Sequence, residues 1–323
     1  MSLKKILVGA VASTVVATSL FGAKVTAVKT SIAEEGFQLT IVTEILKKMG
    51  HEVETTNDVS YDIAYQTIAN NAKSDEVYFM AANWDPLHTG KIKALGADKF
   101  SQSSEYISGC AQGYLIDKKT ADKYNIKYYN DLKKPEIAKL FDLDNDGKAD
   151  LTGCNAGWGC EKVIEHQLDA YDMRDVVEHN QGEYSALIAD TIANYKTGKS
   201  ILYYTWTPYW VSGKLVPGKD VVFLQVTKSA SPNGYSTKLS NGADYGFAVN
   251  SQRIVSNSSV KNHKDIAKLF DIIKLDVNDV SGQNMLMANG QNKEKDITRH
   301  AKKWLEANAA KVDAWVKEAK AAK

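Results

Sequence analysis

The sequence predicts an α/β protein folded as two lobes that hinge like a clamshell. Three observations carry this. Strand-like and helix-like segments alternate from residue 24 to about 250, ahead of a helical end. The 323 residues suit two lobes of about 150 residues better than one sheet. No Pro- or Gly-rich linker divides them, which points to several thin crossings between lobes and not to one tether.

Residues 24–30 are apolar at alternate positions and read as a strand. Residues 34–49 place Phe37, Ile41, Ile45 and Leu46 at helical spacing. Strand 51–56, helix 61–72 and strand 76–84 complete a βαβαβ rhythm, so a mainly parallel sheet covered by helices is expected. The middle repeats it: strand 109–116, helices 120–124, 132–141, 160–171 and 184–195, and strands 201–206 and 221–226. A Ser, Pro, Asn and Gly loop at 229–241 precedes an expected strand at 245–249, and helices follow from 260 to beyond Trp315. Trp304, Leu305, Val312, Trp315 and Val316 read as the buried face of that helical end.

A composition of 44% hydrophobic and 24% charged residues supports a full core. Lys and Arg total 40 against 39 acids, a formal charge of +1, so there is no basic excess for a phosphate backbone and no nucleic-acid partner is expected. Met1-Ser2-Leu3-Lys4-Lys5, an apolar run to Leu20 and Phe21-Gly22-Ala23 form the layout of a cleaved export signal, 1–23, with Ala27 as a rival end point. The apolar run is shorter than the roughly 20 residues that span a bilayer. No cysteine lies nearby, so the exported chain is expected to be soluble and without a lipid anchor. Of three cysteines, Cys154 and Cys160 can close a bridge in an oxidising compartment, leaving Cys110 alone.

Three segments stand out. Asn83-Trp84-Asp85-Pro86-Leu87-His88 follows a strand and turns at a proline, where α/β sheets present ligands. The bland alternative has Trp84 in the core and His88 capping a helix. In Gly153-Cys154-Asn155-Ala156-Gly157-Trp158-Gly159-Cys160-Glu161, an indole is flanked by glycines within a cysteine-closed ring. Such a bridge contributes roughly 2 kcal/mol in the chain-entropy model and fixes where Trp158 points. Gly159 and Cys160 open a helix, whose positive end suits an anion. Tyr203-Tyr204-Thr205-Trp206-Thr207-Pro208-Tyr209-Trp210 puts five aromatics at a strand end, with Tyr204 and Trp206 on one face.

Three such indoles form a box whose electron-rich faces favour a quaternary ammonium. At about 2 kcal/mol per desolvated ring, three rings give about 6 kcal/mol. Donors to a carboxylate lift this toward the ~8 kcal/mol of a micromolar complex.

These segments, with Ser31-Ile32-Ala33-Glu34-Glu35-Gly36-Phe37-Gln38, Ala111-Gln112-Gly113-Tyr114-Leu115-Ile116-Asp117-Lys118-Lys119 and Asp146-Gly147-Lys148-Ala149-Asp150-Leu151-Thr152-Gly153, resemble one family in order over nearly the whole chain. It is the periplasmic glycine betaine/proline betaine-binding protein of an ABC importer. The resemblance implies a two-lobed clamshell, with lobe one at 24–107 plus 244–323 and lobe two at 108–243. It implies that Trp84, Trp158 and Trp206 box the trimethylammonium group. By the same motifs, His88 and the backbone N–H groups of Gly159 and Cys160 hold the carboxylate. The implied partners are a betaine, a membrane permease and an ATPase, with the chain a monomer and no cofactor. Asp85 stands where a threonine is expected, Ala156 where a proline is, and Cys110 where a small residue is; these leave the preferred betaine open.

Asp142, Asp144, Asp146 and Asp150 occupy positions 1, 3, 5 and 9 of a possible Ca²⁺ loop, with Gly147 at 6, but Gly153 replaces the usual Glu at 12. The alternative is an Asp-rich turn. Choline lacks a carboxylate and would leave the anion donors unused; carnitine and sulfonium zwitterions stay open as ligands. An exported hydrolase is the different class, yet no G-x-S-x-G elbow, H-E-x-x-H pair or Walker loop occurs. The expectation is a receptor and not an enzyme.

Overall fold

The computed structural model describes residues 22–322. The expected export signal therefore lies outside the described residues but for its last two positions. Among the described residues ten strands occur in chain order: β1 (Lys24–Ala27), β2 (Glu52–Thr55), β3 (Val77–Asp85), β4 (Phe100–Cys110), β5 (Gln112–Asp117), β6 (Ala149–Thr152), β7 (Val177–Asn180), β8 (Leu202–Trp206), β9 (Val221–Phe223) and β10 (Asn250–Asn257). The helices are α1 (Gly36–Met49), α2 (Tyr61–Asn70), α3 (Thr89–Leu95), α4 (Lys118–Tyr124), α5 (Pro135–Ala138), α6 (Gly159–Ala170), α7 (Tyr184–Lys196), α8 (Val211–Lys214), α9 (Lys264–Ile272), α10 (Val277–Ala288), α11 (Glu294–Ala307) and α12 (Ala309–Lys320).

Two five-stranded sheets form two lobes, ordered β2-β1-β3-β10-β4 and β7-β6-β8-β5-β9. The expectation of mainly parallel sheets is corrected. β1 runs parallel to β2 and β3, and β6 parallel to β7 and β8. In contrast, β10 is antiparallel to β3 and β4, and β5 to β8 and β9. Parallel neighbours need a crossover helix, and strands that carry the chain straight between lobes have none. β4 pairs with β10 through Cys110, so the first crossing falls at Ala111. On the way back Phe247 still packs on Tyr114 and Tyr204 of lobe two, and Asn250 opens β10 in lobe one.

α1 shows why the periodic segments were legible. Phe37, Ile41, Val42, Ile45 and Leu46 all reach the core, and Gly50 stops the helix at φ 101°, donating to the Leu46 and Lys47 carbonyls. The other expected helices begin or end within a few residues of their prediction, except that 132–141 splits into a 3₁₀ turn and the short α5. The expected strand at 245–249 is absent. Gly246 instead takes φ 79° and donates its N–H to Asp244 Oδ1, bending the chain toward lobe one. β4, β6, β7 and β10 were not anticipated. β10 is nearly all buried yet reads Asn-Ser-Gln-Arg-Ile-Val-Ser-Asn, so it lacks the apolar signature of a central strand.

Candidate functional site

Both sheets aim a strand-end indole at the gap between lobes. β3 ends at Trp84-Asp85 and β8 at Trp206, and each is followed by a cis X-Pro bond, at Asp85–Pro86 and Thr207–Pro208. Trp158 arrives from the loop before α6. There Cys154 and Cys160 are joined by a disulfide, and Gly157 takes φ 83°. Trp84, His88, Trp158, Gly159, Cys160 and Trp206 all line one cavity between the lobes.

The rings stand at angles to one another. Trp158 meets Trp206 edge to face at 5.6 Å between centroids and an interplanar angle of 81°. Tyr184 backs Trp206 at 4.7 Å and Tyr209 lies 4.3 Å from it, which locks the indole. Tyr204, expected on the face of Trp206, lies 5.9 Å from it and lines the cavity. Trp84 sits opposite, its indole N–H donating to Glu35 Oε1 at 2.9 Å and to the Tyr61 hydroxyl at 3.1 Å.

His88 occupies the residue before α3, but its side chain makes no cap. It is buried and stacks edge-on with Tyr61 at 4.6 Å. Burial, helped by the Lys91 charge, pulls its pKa down to about 3, so the ring is neutral at physiological pH. Tyr65 Oη lies 2.9 Å from His88 Nδ1 and 2.6 Å from Asn83 Oδ1, and Asn83 in turn donates to Gln102. α6 starts at Gly159 without a side-chain cap, so its first-turn N–H groups face the cavity side of the helix end uncapped.

The sequence reading missed Glu34, Glu35, Gln38, Tyr61, Gln252 and Asn284, which also line the cavity. Glu34, Glu35 and Gln38 lay in a quoted motif without a role, and Gln252 and Asn284 carry no sequence signal at all. Among the described residues the lining holds two carboxylates and no Lys or Arg. Asp85, which stands where a threonine is expected, is not part of the lining. Its Oδ2 is bound by Arg253 Nε at 2.8 Å and its Oδ1 by Thr89. Cys110 is buried and unbridged, its thiol pushed up to about 12 by burial.

The Asp-rich loop lies apart. The carboxylates of Asp142, Asp144 and Asp146 come within 4.8 Å of one another, but each accepts backbone N–H groups of its own turn. Asp150 points to the Leu143 N–H and to Asn180.

Residues 23–307 match the family described as the substrate-binding domain of the ABC-type glycine betaine transport system. The chain is 50% identical to the glycine betaine-binding periplasmic protein OusX of Dickeya dadantii, covering 96% of each chain. It is also 50% identical to the glycine betaine/proline betaine-binding periplasmic protein of Escherichia coli, over 93% of this chain and 91% of that one. In fold it is similar to lactococcal OpuAC in a closed complex with glycine betaine, with a TM-score of 0.68, 21% identity and coverage of 91% and 99%. A choline-binding protein of an ABC transporter shares the fold at a TM-score of 0.70, with 15% identity and 91% of each chain covered. The chain belongs to the substrate-binding components of ABC-type glycine betaine transport systems: it is a receptor that serves a membrane permease and its ATPase, and not an enzyme.

Proposed function

We propose that the chain is a periplasmic receptor for glycine betaine and proline betaine, which it captures between its lobes and passes to the permease for osmoprotection. One observation carries the reading: three indoles drawn from both lobes share a cavity with a neutral histidine and an uncapped helix N-terminus. In this reading Trp84, Trp158 and Trp206 take the trimethylammonium group on their faces, since a cation without N–H groups gains nothing from hydrogen-bond acceptors. The carboxylate takes N–H groups from Gly159, Cys160 and His88. Tyr65, whose hydroxyl donates to Asn83 Oδ1 and lies 2.9 Å from His88 Nδ1, fixes the orientation of the His88 ring.

Lobe one comprises 24–110 and 250–322 and lobe two 112–247, a division that follows the sheet pairing and lies a few residues beyond that implied by motif. Closure over the ligand makes the surface that the permease reads. We further take the receptor to act as a monomer, soluble in the periplasm without a lipid anchor. No helix among the described residues is long and apolar enough to cross a membrane.

The test is a tryptophan-fluorescence titration with glycine betaine and with tert-butylacetate, its isostere with an uncharged head. Saturation by betaine alone is expected. Equal binding of both would mean an apolar pocket with an anion clamp and would sink the box.

A further inference from the structure

Glu35 is a buried carboxylate at the edge of the box, and no cationic side chain among the described residues pairs with it. It accepts hydrogen bonds from Thr30 Oγ1 at 2.5 Å, from the Tyr61 hydroxyl and from Trp84 Nε1 at 2.9 Å. Two of these donors, Tyr61 and Trp84, line the cavity with it. A buried charge in a protein is ordinarily paired, because leaving water costs several kcal/mol per ion.

We infer that Glu35 is the fixed counter-charge for the cationic head of the ligand, acting through Trp84, and that seating a quaternary ammonium drives a proton off it. The inference rests on the aromatic-box reading above. An anion held at the indole N–H edge pushes electron density toward the ring face, which strengthens the face's attraction for a cation. Glu35 thereby positions Trp84 and polarises it, in addition to its direct Coulomb pull across a site shielded from water.

The surroundings make the carboxylate responsive. Burial pushes its pKa up to about 7, against the three hydrogen bonds that lower it. The charged or titratable groups packed around it are few. On its own turn Glu34 adds repulsion. From α2 come Tyr61 and Tyr65, and from β4 Tyr106, all held too high to ionise. From β3 comes Asp85, already tied to Arg253 of β10, and from the following turn the neutral His88. Lobe two contributes Tyr209, bonded to Glu34. Lys29, which shares a small neighbouring cavity with Glu35, is paired with Asp58 and Glu294. None of these groups forms an ion pair with Glu35. A bound trimethylammonium group is the missing partner, and it lowers the pKa of Glu35.

The linkage has a definite sign. Near pH 7 the empty site holds part of a proton at Glu35; the liganded site holds less, so binding releases it. Affinity is then greatest above pH 7 and declines as the pH falls, by up to about tenfold for each unit by which the cation lowers the pKa. Betaine itself does not titrate in this range. The ligand carboxylate acting on His88 draws protons in, which is the opposite sign.

The experiment is calorimetric titration with glycine betaine at pH 7 in buffers of different ionisation enthalpy, and at pH 6 and pH 8. It is applied to the full chain, to Glu35→Gln and to Trp158→Ala. The parent should release a fraction of a proton and bind about tenfold more tightly at pH 8 than at pH 6. Glu35→Gln should bind more weakly at pH 8, with no proton release and a flat profile. Tert-butylacetate, wherever its binding is measurable, should release no proton from the parent, a check that holds even if Glu35→Gln folds poorly. No proton release from the parent, or equal release from Glu35→Gln, would overturn the role of Glu35 alone. Unchanged affinity in Trp158→Ala would instead overturn the box on which it rests.

Discussion

Most of the box side chains are held by a neighbouring ring or polar group, and several of these neighbours line the cavity as well. Trp206 is wedged between Tyr184 and Tyr209, His88 hangs from Tyr65, and Trp84 is pinned by Glu35 and Tyr61. Trp158 differs: it is half-buried, and its ring contacts are Tyr184 at 6.2 Å and Trp206 at 5.6 Å. Its ring face is therefore committed to the cavity more than to the core. Trp158→Ala should weaken glycine betaine binding by more than tenfold, as expected for the loss of about 2 kcal/mol of cation–π attraction, with little effect on the melting temperature. Retained affinity in a fluorescence or calorimetric titration would remove Trp158 from the site.

At the scale of elements, the loop before α6 does two jobs. It carries Trp158 and delivers an uncapped helix start at Gly159. The disulfide Cys154–Cys160 closes it, and two further contacts hold its start: Asn155 Oδ1 accepts the Tyr184 N–H, and His179 Nε2 faces the Cys154 N–H while its Nδ1 meets Glu165. With these intact after reduction, the loop keeps most of its course. Reduced protein should thus bind glycine betaine more weakly than oxidised protein, but by a smaller factor than Trp158→Ala. A reduced form as impaired as the tryptophan variant would show that the bridge alone orders the loop.

Across the whole molecule, the lobes touch at few points. Glu34 of lobe one accepts from Tyr209 and Trp210 of lobe two, Lys91 Nζ reaches the Gly157 carbonyl at 3.2 Å, and Asn284 reaches that of Pro208 at 3.3 Å. At the cavity the lobes approach closely where Leu87 meets Gly159: a Cβ there would lie 2.5 Å from Leu87 Cγ. Contact this close requires one partner to be glycine. Gly159→Ala should therefore hold the lobes apart, lower betaine affinity by at least tenfold and abolish ligand-induced compaction in small-angle scattering. Adding Leu87→Ala should restore much of both. A single variant that closes and binds like the parent would show that the lobes need not approach this far.

The sequence by itself determined the parts whose signal is local. The periodic apolar face of α1, the indoles placed before Asp-Pro and Thr-Pro, and the glycine-flanked ring around Trp158 are written in short stretches of chain. They were enough to mark the six residues that the fold brings to one cavity. Tertiary structure decided what depends on distant partners. β10 became a central strand because β3 and β4 bond its backbone from both sides, not because its side chains are apolar. Likewise Asp85, next to Trp84 in sequence, is tied to Arg253, 168 positions away, and Glu35 is joined to Trp84, 49 positions away. A carboxylate's role follows from which charge stands beside it in space, and the order of residues along a chain does not contain that distance.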